Sequence, residues 1–211
     1  MYSHFVQQPR DPDSSGRGRP RSKHAEEAIL EATGQLLQEK GFKALTIEDV
    51  AVRAGVGKAT IYRWWQTKGT LAFDAFFTHF LSSQHLVNTG SLRGDFLSAL
   101  RAWIRTVKGT PTGRTLVELV GEVQRDPALA VIWRDRFIGP LRDHHHVMLE
   151  RAIARGEIPA STNAEVALDL LFGPAYHRLL QTHLPLTDRF ARDVVDIVVA
   201  GLVAPKPPAT V

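Results

Sequence analysis

With 211 residues, 44% hydrophobic and 23% charged, the chain has the composition of an ordinary soluble globular protein that can bury one large core or two small ones. It contains no cysteine, which excludes disulfides and thiolate metal sites and fits a reducing cytoplasm, the expected location. The net charge of +4 says little by itself, and the longest apolar run, Ile197 to Ala204, is far too short to span a membrane.

Residues 1–22 are Pro, Gly, Ser, Asp and Arg with almost nothing to bury, and read as a disordered basic arm. A first helix is predicted from Lys23 to Lys40, with Ile29, Ala32, Leu36 and Leu37 in one stripe and Gly41 as its stop. Thr46 caps a short second helix, in which Glu48 and Asp49 complement the positive end of the dipole. Ala54-Gly55-Val56-Gly57 breaks that helix, and a third spans Lys58 to Trp65. Thr67 then caps a longer one from Lys68 to about Val87.

Further amphipathic helices follow. Leu92 to Val107 carries apolar residues at helical spacing, and so does the segment after Pro111. Asp126-Pro127 opens a long segment to about Arg155, which Gly139-Pro140 should kink or interrupt. Two last helices cover about Asn163–His183 and Thr187–Val203, and residues 205–211 read as a tail. The fold class is all-α, with about nine helices.

Thr46 to Leu71 is the informative stretch: two short helices around a Gly-containing turn, with small residues where they must cross closely. The second helix offers Lys58, Thr60, Tyr62, Arg63 and Trp64, donors for phosphates or base edges with aromatics between them. Arg53, Lys58, Arg63 and Lys68 have no acid among them, and neither do Arg17, Arg19, Arg21 and Lys23. On charge alone such patches suit a polyanion or a solvated face equally. Arg17-Gly18-Arg19-Pro20-Arg21 reads either as a minor-groove arm or as a non-specific basic tail.

Lys-Gly-Phe at 40–42, Leu-Thr-Ile-Glu-Asp-Val-Ala at 45–51 and Ala-Gly-Val-Gly-Lys-Ala-Thr-Ile-Tyr at 54–62, followed by Trp65, Lys68 and Leu71, closely resemble the tetracycline-repressor family. The resemblance covers roughly residues 25–75. It implies a three-helix DNA-binding domain (23–83), a larger helical domain that binds a small molecule and dimerises (84–204), no catalysis and no cofactor. It further implies phosphate contacts for Thr46, Thr60, Tyr62 and Lys68, and base contacts for Lys58, Ala59 and Arg63. Two positions depart from the family's pattern: Trp64 and Trp65 replace smaller or Phe-type residues, and Gly69 stands where Glu is frequent, at a cost of about 1 kcal/mol in helix propensity.

Trp103, Trp133, Phe137, Phe172 and Tyr176, with His177, are either plain core or walls of a pocket between helices; the resemblance favours a pocket without saying which of them line it. The run His144-His145-His146 is not a metal site, since neighbouring helical residues point about 100° apart. In the last helix Phe190, Val194, Ile197, Val198 and Gly201 are assigned to the core. Leu171, Leu179, Val195, Val199 and Leu202 are assigned to a dimer interface, because both final helices are apolar over more than one stripe. The expected function is a dimeric repressor that leaves a pseudopalindromic operator when a small molecule binds. A helical enzyme using the His-rich segment and a ligand-independent architectural DNA binder are the rivals.

Overall fold

A computed structural model describes residues 19–82 and 87–203 of the chain. The arm with Arg17, the 83–84 boundary and the tail therefore lie outside the described residues. All described elements are helical: α1 Arg19–Ala44, α2 Ile47–Ala54, α3 Lys58–Tyr62, α4 Lys68–Ser82, α5 Leu92–Val107, α6 Pro111–Val123, α7 Pro127–Trp133, a π-helical turn Arg134–Ile138, α8 Gly139–Ala154, α9 Ala164–Gln181 and α10 Asp188–Val203. No helix among them is long and apolar enough to cross a membrane.

α1 starts four residues before the predicted Lys23, which is possible because Pro20 falls in the first turn, where its missing N–H has no partner to lose. Its regular part ends as the sequence predicts. Gly41 adopts φ 76°, a conformation that costs an L side chain energy, and one further turn follows. Caps set most other starts. Ser91, Thr110, Asp126 and Asn163 each accept a backbone N–H of the first turn of the helix they precede.

α7 and α8 form one rod, because Pro140 interrupts the hydrogen-bond ladder without ending the helix. The Gly139 N–H bonds to the Arg134 carbonyl five residues back, which widens one turn where the proline ring would collide with a carbonyl. Gly69 also has a packing reason. A Cβ there would lie 3.0 Å from Leu129 Cδ1, so the missing side chain lets α7 approach the start of α4.

Two assignments made from periodicity are corrected by packing. Leu171 and Val195, expected at a dimer interface, are 0% exposed within the single chain, whereas Ile197, expected in the core, is 73% exposed. α10 is rotated by its contact with α5, where Arg93 pairs with Asp196 at 2.7 Å and Arg101 with Asp188. Phe190, Ala191, Val194, Val195 and Val198 thereby become the inward stripe. Leu179, Val199 and Leu202 are half-buried at its margins.

Within the C-terminal helices His145 is buried beside Phe172, ring centroids 4.7 Å apart. Burial, reinforced by His144, lowers its pKa from 6.5 to about 4; a hydrogen bond to the Leu141 backbone pulls the other way and does not prevail. The unfolded chain therefore takes up this proton first. Stability from this site is complete above pH 6.5 and falls by about 3 kcal/mol as the pH drops to 4. His145→Leu should flatten that part of the profile; urea titrations between pH 4 and 7 that keep the wild-type slope would remove His145 as its cause.

Candidate nucleic-acid interface

The helix-turn-helix is built by local chemistry. Thr46 Oγ1 accepts the Asp49 N–H at 3.2 Å, which caps the start of α2, and its hydroxyl donates to the Asp49 carboxylate, which holds the cap in place. Gly55 at φ 66° ends α2, with the Val56 N–H returning to the Ala51 carbonyl at 3.0 Å. α3 runs only to Tyr62, shorter than the predicted Trp65; the Trp64 and Trp65 N–H groups both return to the Ile61 carbonyl at 2.9 Å. Ile61 is 0% exposed and fixes α3 against Ile47, Val50 and Leu45 of the same core.

Burying that face turns the other outward. Lys58, Ala59, Tyr62 and Arg63 are exposed, Thr60 and Trp64 are half-buried, and Thr46 is exposed at the start of α2. Lys58 Nζ donates to Glu48 Oε1 at 2.7 Å, a surface pair that exchanges readily for another acceptor. Arg63 lies 5.8 Å from the Trp64 ring centroid and has no carboxylate partner among the described residues. Lys68 points to the end of α1, with Nζ donating to the Phe42 carbonyl at 3.2 Å and lying 4.4 Å from the Phe42 ring centroid. Two of its three N–H groups remain for another acceptor. Arg19 is the first residue of α1.

Three residues that local patterns do not reveal tie this unit to the rest of the chain. Glu118 of α6 accepts the Phe42 N–H at 2.6 Å and the Lys43 N–H at 3.3 Å, satisfying donors freed by the Gly41 break. Asp74 of α4 accepts the indole N–H of Trp65 at 2.8 Å and is 3.2 Å from Arg136 of the π turn. Sequence separations of 62 and 76 residues leave no periodic signal for either link. The one local hint is Trp65 itself, since an indole, unlike a phenyl ring, brings a donor that needs a partner when buried.

The residues grouped as pocket candidates separate. Trp133 and Phe137 join Phe73, Phe76, Phe77 and Phe80 in a cluster that packs α4 on α7 and the π turn, with Phe77 and Phe137 stacked at 4.7 Å. Trp103 instead faces Tyr176 at 4.9 Å, Phe172 faces His145, and His177 faces His183 at 4.9 Å. Burial pushes the Tyr176 hydroxyl up to about 12, so near neutral pH it is a protonated donor. A groove of about 500 Å³ lies elsewhere, between the α5–α6 turn and α9. Among the described residues no group of three or more His, Asp or Glu side chains is placed to hold a metal.

Comparison with known proteins agrees along nearly the whole chain. The model of the N-terminal domain of bacterial regulatory proteins of the tetR family matches residues 29–86, and a tetracyclin repressor-like C-terminal domain matches residues 86–198. The HTH-type transcriptional regulator YdeS of Bacillus subtilis is 38% identical over 86% of this chain and 91% of its own length. A DNA-binding transcriptional repressor of Mycobacteroides abscessus is 29% identical over 84% of this chain and 93% of its own. The crystal structure of the TetR family transcription regulator SCO0332 superposes with a TM-score of 0.78 at 36% identity, covering 86% of this chain and all of that one.

The Trp65–Asp74 bond joins a half-buried charge to an indole, so Trp65→Phe should destabilise the chain by about 1–2 kcal/mol. Asp74→Asn should cost clearly less in the Trp65→Phe background than in the wild type. Additive losses in urea denaturation would show that the two side chains are not energetically coupled.

Proposed function

We propose, starting from the fact that this chain belongs to the tetracycline-repressor family, that two copies of it hold a pseudopalindromic operator and release it when a small molecule binds the C-terminal helices. The chain is a helix-turn-helix transcriptional regulator and not an enzyme. The observation that carries the finer reading is α3, a short helix pinned by buried Ile61 that turns Lys58, Ala59, Tyr62 and Arg63 to solvent together. In the proposed complex α3 enters the major groove, where Lys58, Ala59 and Arg63 meet base edges beside Trp64. Thr46, Thr60, Tyr62 and the spare donors of Lys68 meet phosphates. Residues 23–83 act as the reading head and 84–204 as the effector and dimer domain, in the cytoplasm, at the nucleoid. Arg17 and Arg19 extend the contact into the flanking minor groove.

The proposed dimer uses α9 and α10, through a different set of residues from those periodicity selects. Val166, Leu170 and Leu180 are 50%, 51% and 40% exposed along one side of α9, and Ile197 is exposed on α10. Gly173 and Gly201 have open space where a Cβ would stand, so a second backbone can come close at both. Two such helices from each copy make a four-helix bundle about a two-fold axis, which places two α3 helices on successive major grooves.

Two outcomes test this. Arg63→Ala should cost about 1–3 kcal/mol on the operator and reduce its advantage over scrambled DNA, whereas Tyr62→Phe should weaken both alike. An unchanged ratio in Arg63→Ala, measured at several salt concentrations, would take Arg63 out of base reading. Leu170→Glu with Ile197→Glu should give a helical monomer that no longer binds operator. Sedimentation showing a dimer with intact operator affinity would move the interface elsewhere.

A further inference from the structure

Lys58 opens α3 and Glu48 lies in the first turn of α2, so the bond between them spans the turn of the helix-turn-helix. The other two ion pairs of α2 serve a different end: Asp49 with Lys40 and Arg53 with Glu39 tie it back to α1. Ile61 already fixes α3 from within, and an exposed pair adds little to that hold. The helix dipole favours an acid in the first turn of α2, but Asp49 supplies one. Glu48 and Lys58 are 64% and 53% exposed and border a groove of about 430 Å³ beside Ala51 and Val56.

The hydrogen bond to Lys58 lowers the pKa of Glu48 and raises that of Lys58, so near neutral pH they are a carboxylate and an ammonium. With 2.7 Å between their tips, any surface that Lys58 reaches, Glu48 reaches too. Phosphates repel a carboxylate. In the major groove it also meets donors, the N4 amino group of cytosine and the N6 amino group of adenine. One shared bond leaves two ammonium hydrogens and several carboxylate lone pairs for a base pair.

The spacing matches the edge of one base pair. Within G·C the guanine O6 accepts the cytosine N4–H, so these two atoms lie a hydrogen bond apart, about 2.9 Å. An ammonium over O6 and a carboxylate over N4, 2.7 Å from one another, complement that edge and keep their own bond. Guanine N7 gives the ammonium a second acceptor. T·A presents O4 and N6 in the same order but has no second acceptor beside the lysine. In C·G and A·T the order is reversed, so the ammonium faces an amino group and the carboxylate faces a carbonyl.

We infer that Glu48 is a base-reading residue: with Lys58 it forms one ion-paired unit that reads a single base pair of each operator half-site as G·C, with guanine under Lys58. This deepens the reading of α3 as the groove-entering helix and rests on it.

The test selects bound duplexes from a randomised pool, using the full chain and its variants, with circular dichroism to check that each variant is folded. The wild type should enrich a palindrome in which one position of each half-site is G·C, preferred about tenfold over C·G. Glu48→Ala and Lys58→Ala should each relax that same position and leave the others unchanged. Glu48→Lys combined with Lys58→Glu, which keeps the ion pair, should turn the position to C·G. The inference is overturned if the single variants relax different positions, or if Glu48→Ala binds every sequence more tightly with its preferences unchanged. A swapped chain that still selects G·C there overturns it too; if the swapped chain binds no DNA, the single variants decide. A palindrome selected identically by the wild type and all variants removes this inference and leaves the regulator reading standing. A wild type that binds DNA without selecting any sequence removes the regulator reading itself.

Discussion

The break at Gly41 frees two backbone donors at the end of α1, and a carboxylate on a helix 76 residues away accepts both. That exchange constrains the rest of the architecture. Glu118 can reach Phe42 only if α6 lies along α1, and Gly41 has no side chain that would stand in its way. Once α6 is seated, its buried threonines Thr112 and Thr115 find partners on the preceding turn of α1. A DNA-reading unit that could have been an independent module is thereby attached to the C-terminal helices along the length of a helix.

A second attachment has different physics. The aromatic cluster of Phe73, Phe76, Phe77, Phe80, Trp133 and Phe137 joins α4 to α7 by area and shape. It resists separation but specifies orientation less sharply than hydrogen bonds do. Orientation is added at its edge, where Asp74 holds Trp65 on one side and Arg136 on the other. The π turn places Arg136, and Pro140 requires that turn, so a proline in α8 bears on the setting of the recognition unit. The Asp74–Arg136 pair joins a half-buried carboxylate to an exposed guanidinium, so it adds direction more than stability.

The two last helices show why apolar composition is not the same as an interface. α9 and α10 are apolar around much of their circumference, and a helix of that kind can be seated in more than one rotation. α5 decides between them: the apolar stripe packed against it buries Val195 and leaves Ile197 outside, with Asp188 and Asp196 paired to its arginines at the edge. The face left exposed is what the chain's own packing does not use.

Most of what is local was legible in the sequence. Thr46 and Thr67 as caps, Gly41 and Gly55 as breaks, and the interruption at Pro140 all follow from backbone chemistry within a few residues, and the structure places each as read. The all-α class followed from helical periodicity along the chain, and the family from the short-range pattern around residues 25–75, because a helix-turn-helix is specified by its caps, its turn and its spacing. What tertiary structure alone decided is which groups meet across long separations: Glu118 with Phe42, Asp74 with Arg136, and Trp103 with Tyr176 but apart from Trp133. It also decided the rotation of α10. A helical pattern states which residues share a face, and only the neighbouring helix determines whether that face is buried, paired or left to a partner.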